Sequence, residues 1–367
     1  MAQNTKWKNQ HIDLSSAPWR MHEFFAGSGL VAYGLKGMFA PVWANDISDQ
    51  KAAVYTANFG NQHFVLDDIK NVNGADLPYA NLSWASFPCQ DLSLAGSLGG
   101  IHASRSGLVW EWLRVLDEML EKPKILVLEN VVGLLSTKGG ENYSALHHAL
   151  VERGYRCGAI VINASYFVPQ SRPRVFIIAV QKDCKIPDNL VGDGPCWLHN
   201  KAATELGQRL PDWIWWNTEK PPRRHLLVKD IVEEDVPFDK DYVLRLVPGR
   251  HQAKLDVHET VYATGYRRTR HGQQQLELRC DGIAGCLRTP EGGSSKQYLV
   301  VKKDGVTHAR LLTVREAARL MGAPDSFILP GSYNEGYKAM GDAVAMPVAK
   351  FLGERFLTKI AEAVYHD

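Results

Sequence analysis

The sequence predicts an α/β fold: a doubly wound, mostly parallel sheet with a second, smaller domain inserted late in the chain. Three observations carry this. From Trp19 to about Gln181 short apolar runs alternate with segments of helical periodicity. From about Lys182 to Ala309 that texture dissolves into mixed Pro, Gly and Trp, as in "GDGPCW", "LPDWIWW" and "EKPPRRH". It then returns, and the chain closes on an amphipathic helical pattern. The expected organisation is an N-terminal extension (1–18), a first part of the main domain (19–181), an inserted domain (182–309) and a second part of the main domain (310–367).

The strand candidates are "RMHEFFA", "PVWAN", "HFVLDD", "LSWASF", "KILVLEN", "GAIVINASYF" and "RVFIIAV". Between them lie helices. In residues 106–120 Leu108, Trp112, Val115, Leu116 and Met119 recur at helical spacing behind Ser106 as N-cap. "NYSALHHALVERG" repeats the pattern and stops at Gly154. Beyond the insert, Thr313 and Glu316 form a capping box ahead of Ala317, Leu320 and Met321. "PVAKFLGERFLTKIAEAVY" reads as one final helix with Pro347 in its first turn.

Bulk properties narrow the class. The 367 residues are 45% hydrophobic and 22% charged, ordinary values for a globular chain. No apolar run approaches the roughly 20 residues that span a bilayer, and the polar N-terminus lacks a signal-peptide stretch. An intracellular protein is expected. Six cysteines without a CxxC pair argue against structural zinc, any other metal site and a disulfide framework. The net charge of +2 is nearly neutral, but eleven Lys and Arg face five Asp and Glu between Tyr242 and Lys303. That stretch holds Arg267, Arg268 and Arg270, either a solvated loop or a phosphate-contacting surface.

Gly27 and Gly29, flanking Ser28, follow the first strand and lead into a helix, where backbone N–H groups can approach a ligand closely. Asp46 ends the second strand, where an acid can bind ribose hydroxyls, and Asp68 ends the third. Glycine and two acids at successive strand ends mark the sheet edge where open α/β folds bind ligands. The GxGxxG spacing fails at Ala32 and no GK[ST] follows, which favours a nucleoside cofactor over a nicotinamide dinucleotide.

Cys89, in "ASFPCQDLSLAG", ends the fourth strand on the same edge. A free thiol has a pKa of about 8.5, and its thiolate is a strong nucleophile. Glu129 and Asn130 in "LENV" end the next strand. A Cys and a Glu there could attack and protonate opposite sides of one planar substrate. A buried small hydrophobe and a helix-capping carboxylate are the bland alternatives. Arg172 and Arg174 in "VPQSRPRVFIIAV" alternate at a strand start, pointing to one face, and their guanidinium forks suit carbonyl oxygens.

Together these segments resemble the C5-cytosine DNA methyltransferases. "FFAGSG", "FPCQDLS", "ENV", "QSRPR", "RLLTVREAARLMGAPDSF" and "GDAVAMPV" appear in the family order, over about residues 19–181 and 309–365. The resemblance implies a Rossmann-like, S-adenosylmethionine-dependent sheet with an inserted target-recognition domain acting on double-stranded DNA. Phe25 would stack on the cofactor's adenine, with Asp68 and Ile69 flanking it; Asp46, followed by Ile47, would hold the ribose. Gly27, Ser28, Gly29, Asp342 and Ala343 complete the implied cofactor site, and Pro88 lines the pocket beside Cys89. Cys89, Glu129, Arg172 and Arg174 are the implied catalytic set. Gln90, Ser93, Arg267, Arg268 and Arg270 are the implied DNA contacts, and a loop from Ser93 to Ser106 would close over the duplex.

The pattern departs from the family at Ser28-Gly29-Leu30, where a pair of glycines is usual. It departs again at Asp342, where Asn is usual, and this puts an extra carboxylate near the cofactor. Rival readings keep the chemistry on RNA, or keep DNA binding without catalysis; the intact Cys89, Glu129 and Arg174 oppose the latter. A monomer on DNA, a bacterial or phage source and a cognate restriction endonuclease complete the expectation.

Overall fold

The computed structural model describes residues 11–88, 107–289 and 295–366. Its central sheet is built from β1 (Trp19–Phe24), β2 (Phe39–Asp46), β3 (Phe64–Leu66), β4 (Leu82–Ala85), β5 (Ile125–Val131), β6 (Tyr155–Asn163) and β7 (Pro173–Gln181). The spatial order is β3-β2-β1-β4-β5-β7-β6. β1 to β5 are parallel, and β7 runs antiparallel to both β5 and β6. The reversal has a local cause. No crossover helix separates β6 from β7, and residues 164–172 are too short a link to return the chain to a parallel start. The winding reverses between β1 and β4, so a crevice opens at their C-terminal ends.

Helices α1 (Leu30–Gly34), α2 (Asp49–Phe59), α3 (Leu108–Glu118) and α4 (Glu141–Glu152) cover the two faces. Alternation along β5 sorts the core: Ile125 and Val127 face one apolar layer, Leu126 and Leu128 the other. Gly107, not Ser106, occupies the cap position of α3; Ser106 lies outside the described residues. α4 ends where expected, with Gly154 at φ 85° donating its N–H to Val151.

Residues 188–217, including α5 (Lys201–Gly207), run along the edge strand β6. Val161 donates to the Leu198 carbonyl and Ile214 to that of Cys157, while Trp216 is fully buried. This layer covers what would otherwise be an exposed sheet edge.

The second sheet follows a short helix, α6 (Gly249–Leu255). Its strands are β8 (Val261–Arg270), β9 (Gln273–Arg279), β10 (Gln297–Lys303) and β11 (Val306–Leu311), ordered β11-β10-β8-β9 and antiparallel throughout. Two hairpins shape it. His271-Gly272 and Asp304-Gly305 all have positive φ, the geometry that two-residue turns demand. The sheet has its own small core around Val243, Leu276 and Val300.

The chain then returns through α7 (Val314–Leu320), α8 (Tyr333–Asp342), α9 (Met346–Leu352) and α10 (Thr358–Tyr365). The Thr313–Glu316 capping box forms as expected. Glu316 also holds Arg310 of β11 in a buried two-point ion pair, with N–O distances of 2.6 and 2.7 Å. The final helix is not uniform: a π-helical turn, Gly353–Leu357, joins α9 to α10. α9 lies against α1, where a Cβ on Gly34 would stand 2.6 Å from the Met346 carbonyl oxygen. The last segment thereby reaches back to the first glycine loop.

Candidate active site

One cavity of about 920 Å³ opens at the C-terminal ends of β1, β2, β4 and β5. Phe25, Gly27, Asp46, Ile47, Asp68, Ile69, Pro88, Glu129, Arg172, Arg174, Asp342 and Ala343 all line it. Cys89, Gln90 and Ser93 lie outside the described residues, though Cys89 follows Pro88 in sequence.

At the cofactor end the chain is held in costly conformations. Phe25 has φ 55°, a left-handed backbone uncommon for an aromatic residue, which turns the strand sharply into the Gly27 loop. Asp46 organises that loop: one carboxylate oxygen accepts the Gly27 N–H and the other the Ser48 N–H, both at 2.9 Å. Gly29 caps α1 at φ 79°, and a Cβ there would fall 2.4 Å from the Phe59 ring. Ser28 is buried and does not line the cavity. Asp68 stands beyond the end of β3 and caps a short turn by accepting the Lys70 N–H.

A nucleoside cofactor fits these residues. Ile47 leaves 69% of its surface uncovered beside the cavity, an apolar shelf suited to a purine. Asp46 retains lone pairs for ribose hydroxyls. The Ser28 hydroxyl is buried without a partner in the same loop.

At the other end, Glu129 is buried and pairs with Arg174, whose Nε lies 3.1 Å from Oε1. Burial pushes the Glu129 carboxyl up, and this outweighs the opposing pull of Arg174 and Arg172. Asn130 donates to the Phe87 carbonyl at 3.0 Å, tying the end of β5 to the segment that enters Pro88 and Cys89.

Arg172 corrects the expectation that both arginines face a substrate carbonyl. Its Nη1 donates to the Leu287 carbonyl at 2.9 Å, and its Nη2 to those of Gly341 and Ala343 at 2.9 and 2.8 Å. It is a buried clamp joining β7, the second sheet's return and the end of α8. Gln170 does similar work, donating to the Leu320 carbonyl and accepting the Leu287 N–H. Neither clamp was legible in the sequence, since their partners, mostly backbone carbonyls, are more than a hundred residues away.

Sequence reasoning also missed Lys51, Cys286, Arg288 and Thr289, which line the same cavity. Asp342 is paired with Lys51 at 2.9 Å and accepts the Thr289 hydroxyl. Of the basic stretch, Arg270 is held by Glu277 through two bonds of 2.7 and 3.0 Å. Arg267 approaches the Tyr298 ring and Arg268 the Tyr266 ring, at 5.8 and 4.9 Å. Arg288 approaches Tyr266 as well, at 5.7 Å. Among the described residues no cluster of His, Cys, Asp and Glu could hold a metal ion, and no helix is long and apolar enough to cross a membrane.

The sheet order, with a cavity at its switch point lined by residues that fit a nucleoside, matches the fold of S-adenosylmethionine-dependent methyltransferases. Comparison takes this further. The profile of the C-5 cytosine-specific DNA methylases matches residues 19–358, and the chain belongs to that family. It is similar to the type II methyltransferase M.Bsp6I of Bacillus sp. (strain RFL6), 28% identical over 90% of this chain and 96% of that one. It is also similar to M.HhaI of Haemophilus parahaemolyticus, 28% identical over 91% and 92%. Among solved structures, a DNMT2 mutant of Spodoptera frugiperda superposes with a TM-score of 0.63 at 17% identity, covering 91% of this chain and 98% of that one. A putative DNA modification methyltransferase encoded within an E. coli prophage gives 0.56 at 20%, covering 95% and 100%. The protein is therefore a DNA (cytosine-5-)-methyltransferase, and its cofactor is S-adenosyl-L-methionine.

Proposed function

We propose that the protein methylates C5 of a cytosine extruded from a specific double-stranded DNA sequence, with Cys89, Glu129 and Arg174 as its catalytic residues. The observation that supports this best is the buried Glu129–Arg174 pair opening onto the cofactor cavity beside Pro88. A cytosine stacked in a duplex is out of reach, so the base must be flipped, at a cost of a few kcal/mol.

The Cys89 thiolate adds to C6, and negative charge builds toward N3 as it does so. Glu129, whose carboxyl is shifted up by burial, supplies a proton there. Arg174 holds Glu129 through Nε and the Pro173 carbonyl through Nη1, and Nη2, whose one partner among the described residues is Cys286 Sγ at 4.0 Å, would turn to the O2 carbonyl. These steps leave C5 electron-rich, which free cytosine is not. The bound cofactor supplies an electrophilic methyl group on a sulfonium. Phe25, Ile47 and Ile69 would embrace its adenine, and Asp46 its ribose. Loss of the C5 proton, expulsion of the Cys89 thiolate and return of the N3 proton to Glu129 restore the neutral aromatic ring and the starting acid.

In this reading the antiparallel sheet of β8 to β11 carries sequence recognition, with Arg268 and Arg288 on phosphates and Gln90 and Ser93 near the extruded base. The enzyme would act as a monomer on intracellular DNA, in a bacterium or phage, alongside a cognate restriction endonuclease. Bisulfite sequencing of DNA from cells expressing the protein tests the substrate and the recognition sequence together. Cys89→Ala should abolish the mark while leaving DNA binding in place. Normal methylation by that variant would refute the covalent route.

A further inference from the structure

We propose that the β8–β9 ribbon lies in the major groove beside the extruded cytosine, with Gln275 and Gln273 each reading an adenine. This rests on the duplex-DNA reading above and deepens it, because it assigns two residues to base recognition and places A·T pairs in the target sequence.

The ladder register sorts the ribbon into two faces. Leu276 and Leu278 join the small core of the second sheet, so Gln273, Gln275 and Glu277 point the other way. Across the ladder Tyr266 stands opposite Glu277, Arg268 opposite Gln275 and Arg270 opposite Gln273. Two contacts mark the shared face. Arg270 folds back to Glu277, and Arg268 lies 4.9 Å from the centroid of the Tyr266 ring.

That face is continuous with the active site. The Tyr266 hydroxyl donates to the Cys286 carbonyl and Arg288 approaches the same ring, and Cys286 and Arg288 both line the cofactor cavity. From this rim the polar face runs out to the His271-Gly272 turn, about 13 Å over the four residues from Tyr266 to Arg270. A duplex whose flipped base enters the cavity is brought alongside it.

Chemistry assigns the parts. A two-stranded ribbon fits the major groove, where adenine offers N7 as an acceptor and N6 as a donor. A primary amide carries the matching donor and acceptor together, which makes Gln the residue type suited to adenine. Among the described residues the side-chain amides of Gln273 and Gln275 have no hydrogen-bond partner, whereas Glu277 is occupied by Arg270. Arg268, beside Gln275, supplies a phosphate contact that sets the register without reading sequence. Gln275 stands nearer the cavity rim, so its adenine lies closer to the methylated cytosine than that of Gln273.

Bisulfite sequencing of DNA from cells expressing the protein and its variants reads these contacts. Gln275→Ala should still methylate the target cytosine but relax one A·T pair, discrimination there falling by about tenfold or more. Gln273→Ala should relax a second A·T pair, farther from the cytosine. Gln274→Ala, on the face of Leu276 and Leu278, should leave the sequence unchanged. Fluorescence anisotropy measures the same contact without turnover, using target duplexes with 7-deazaadenine, which lacks N7, at each adenine in turn. At one position the unaltered protein should bind about tenfold more weakly, and the Gln275→Ala protein should show no loss there. A target without A·T pairs, unchanged specificity in both Gln273→Ala and Gln275→Ala, equal relaxation by Gln274→Ala, or equal deazaadenine losses in both proteins would overturn the proposal. DNA left without 5-methylcytosine by the unaltered protein would instead overturn the reading beneath it.

Discussion

Arg174 reaches Glu129 across an antiparallel strand pair, its Nε 3.1 Å from the carboxylate, although the residue directly opposite Glu129 is Phe176. The pair is diagonal, so both side chains lie on the same face and lean toward the cavity. Antiparallel β7 makes this possible: it delivers its N-terminal end to the edge where β4 and β5 deliver their C-terminal ends.

Glu129→Gln keeps the shape and removes the transferable proton. Single-turnover methylation should slow by at least about 100-fold, with cofactor binding unchanged. The pH profile carries a second signature. Glu129 must be protonated and Cys89 deprotonated, so activity should rise as the thiol ionises and fall as pH passes through the raised carboxyl pKa. A profile lacking its alkaline fall would remove Glu129 as the acid.

The two arginines of "QSRPR" should separate cleanly. Arg172→Ala strips hydrogen bonds from the carbonyls of Leu287, Gly341 and Ala343, so it should lower stability by about 3 kcal/mol or more, read by denaturant unfolding. Arg174→Ala should reduce methyl transfer about 100-fold with a far smaller stability change. Equal stability losses would show that both are clamps.

Arg268 and Arg288 flank the Tyr266 ring, whose hydroxyl is fixed by the Cys286 carbonyl and Gln297. Replacing either with Ala should reduce the slope of log K against log salt for DNA binding by about one. Arg270→Ala should change the slope less, because Glu277 already neutralises that guanidinium. A larger effect at Arg270 would reverse the assignment.

Glu23 offers a stability test away from catalysis. Burial raises its carboxyl from the ordinary 4.5 to about 8, helped by the nearby Asp46 and opposed by the Ala32 N–H and the Tyr55 hydroxyl. Between those two values the folded chain holds a proton that the unfolded chain has released, so stability falls as pH rises across the window. Relative to the unaltered protein, Glu23→Gln should gain stability steadily from about pH 4.5 to about pH 8. Parallel Tm curves for the two proteins would contradict this.

The strands of the main sheet, the Thr313–Glu316 cap and the grouping of glycine, acid and proline at its carboxyl edge were all legible in residue order. Each is written in periodicities and turn chemistry that act over a few neighbours. The second sheet was legible only in part. "HG" and "DG" are hairpin turns in plain view, and β10 is an apolar run, yet β8 and β9 around "HG" carry too many Arg, Gln and Glu residues to stand out by hydropathy. What tertiary structure alone decided is which charges meet. Arg172 became a clamp, Arg174 a partner of Glu129, Arg270 a partner of Glu277, and Asp342 a partner of Lys51, nearly three hundred residues away. A guanidinium or carboxylate binds whatever acceptor or donor the fold brings within about 3 Å, and no local pattern records that distance.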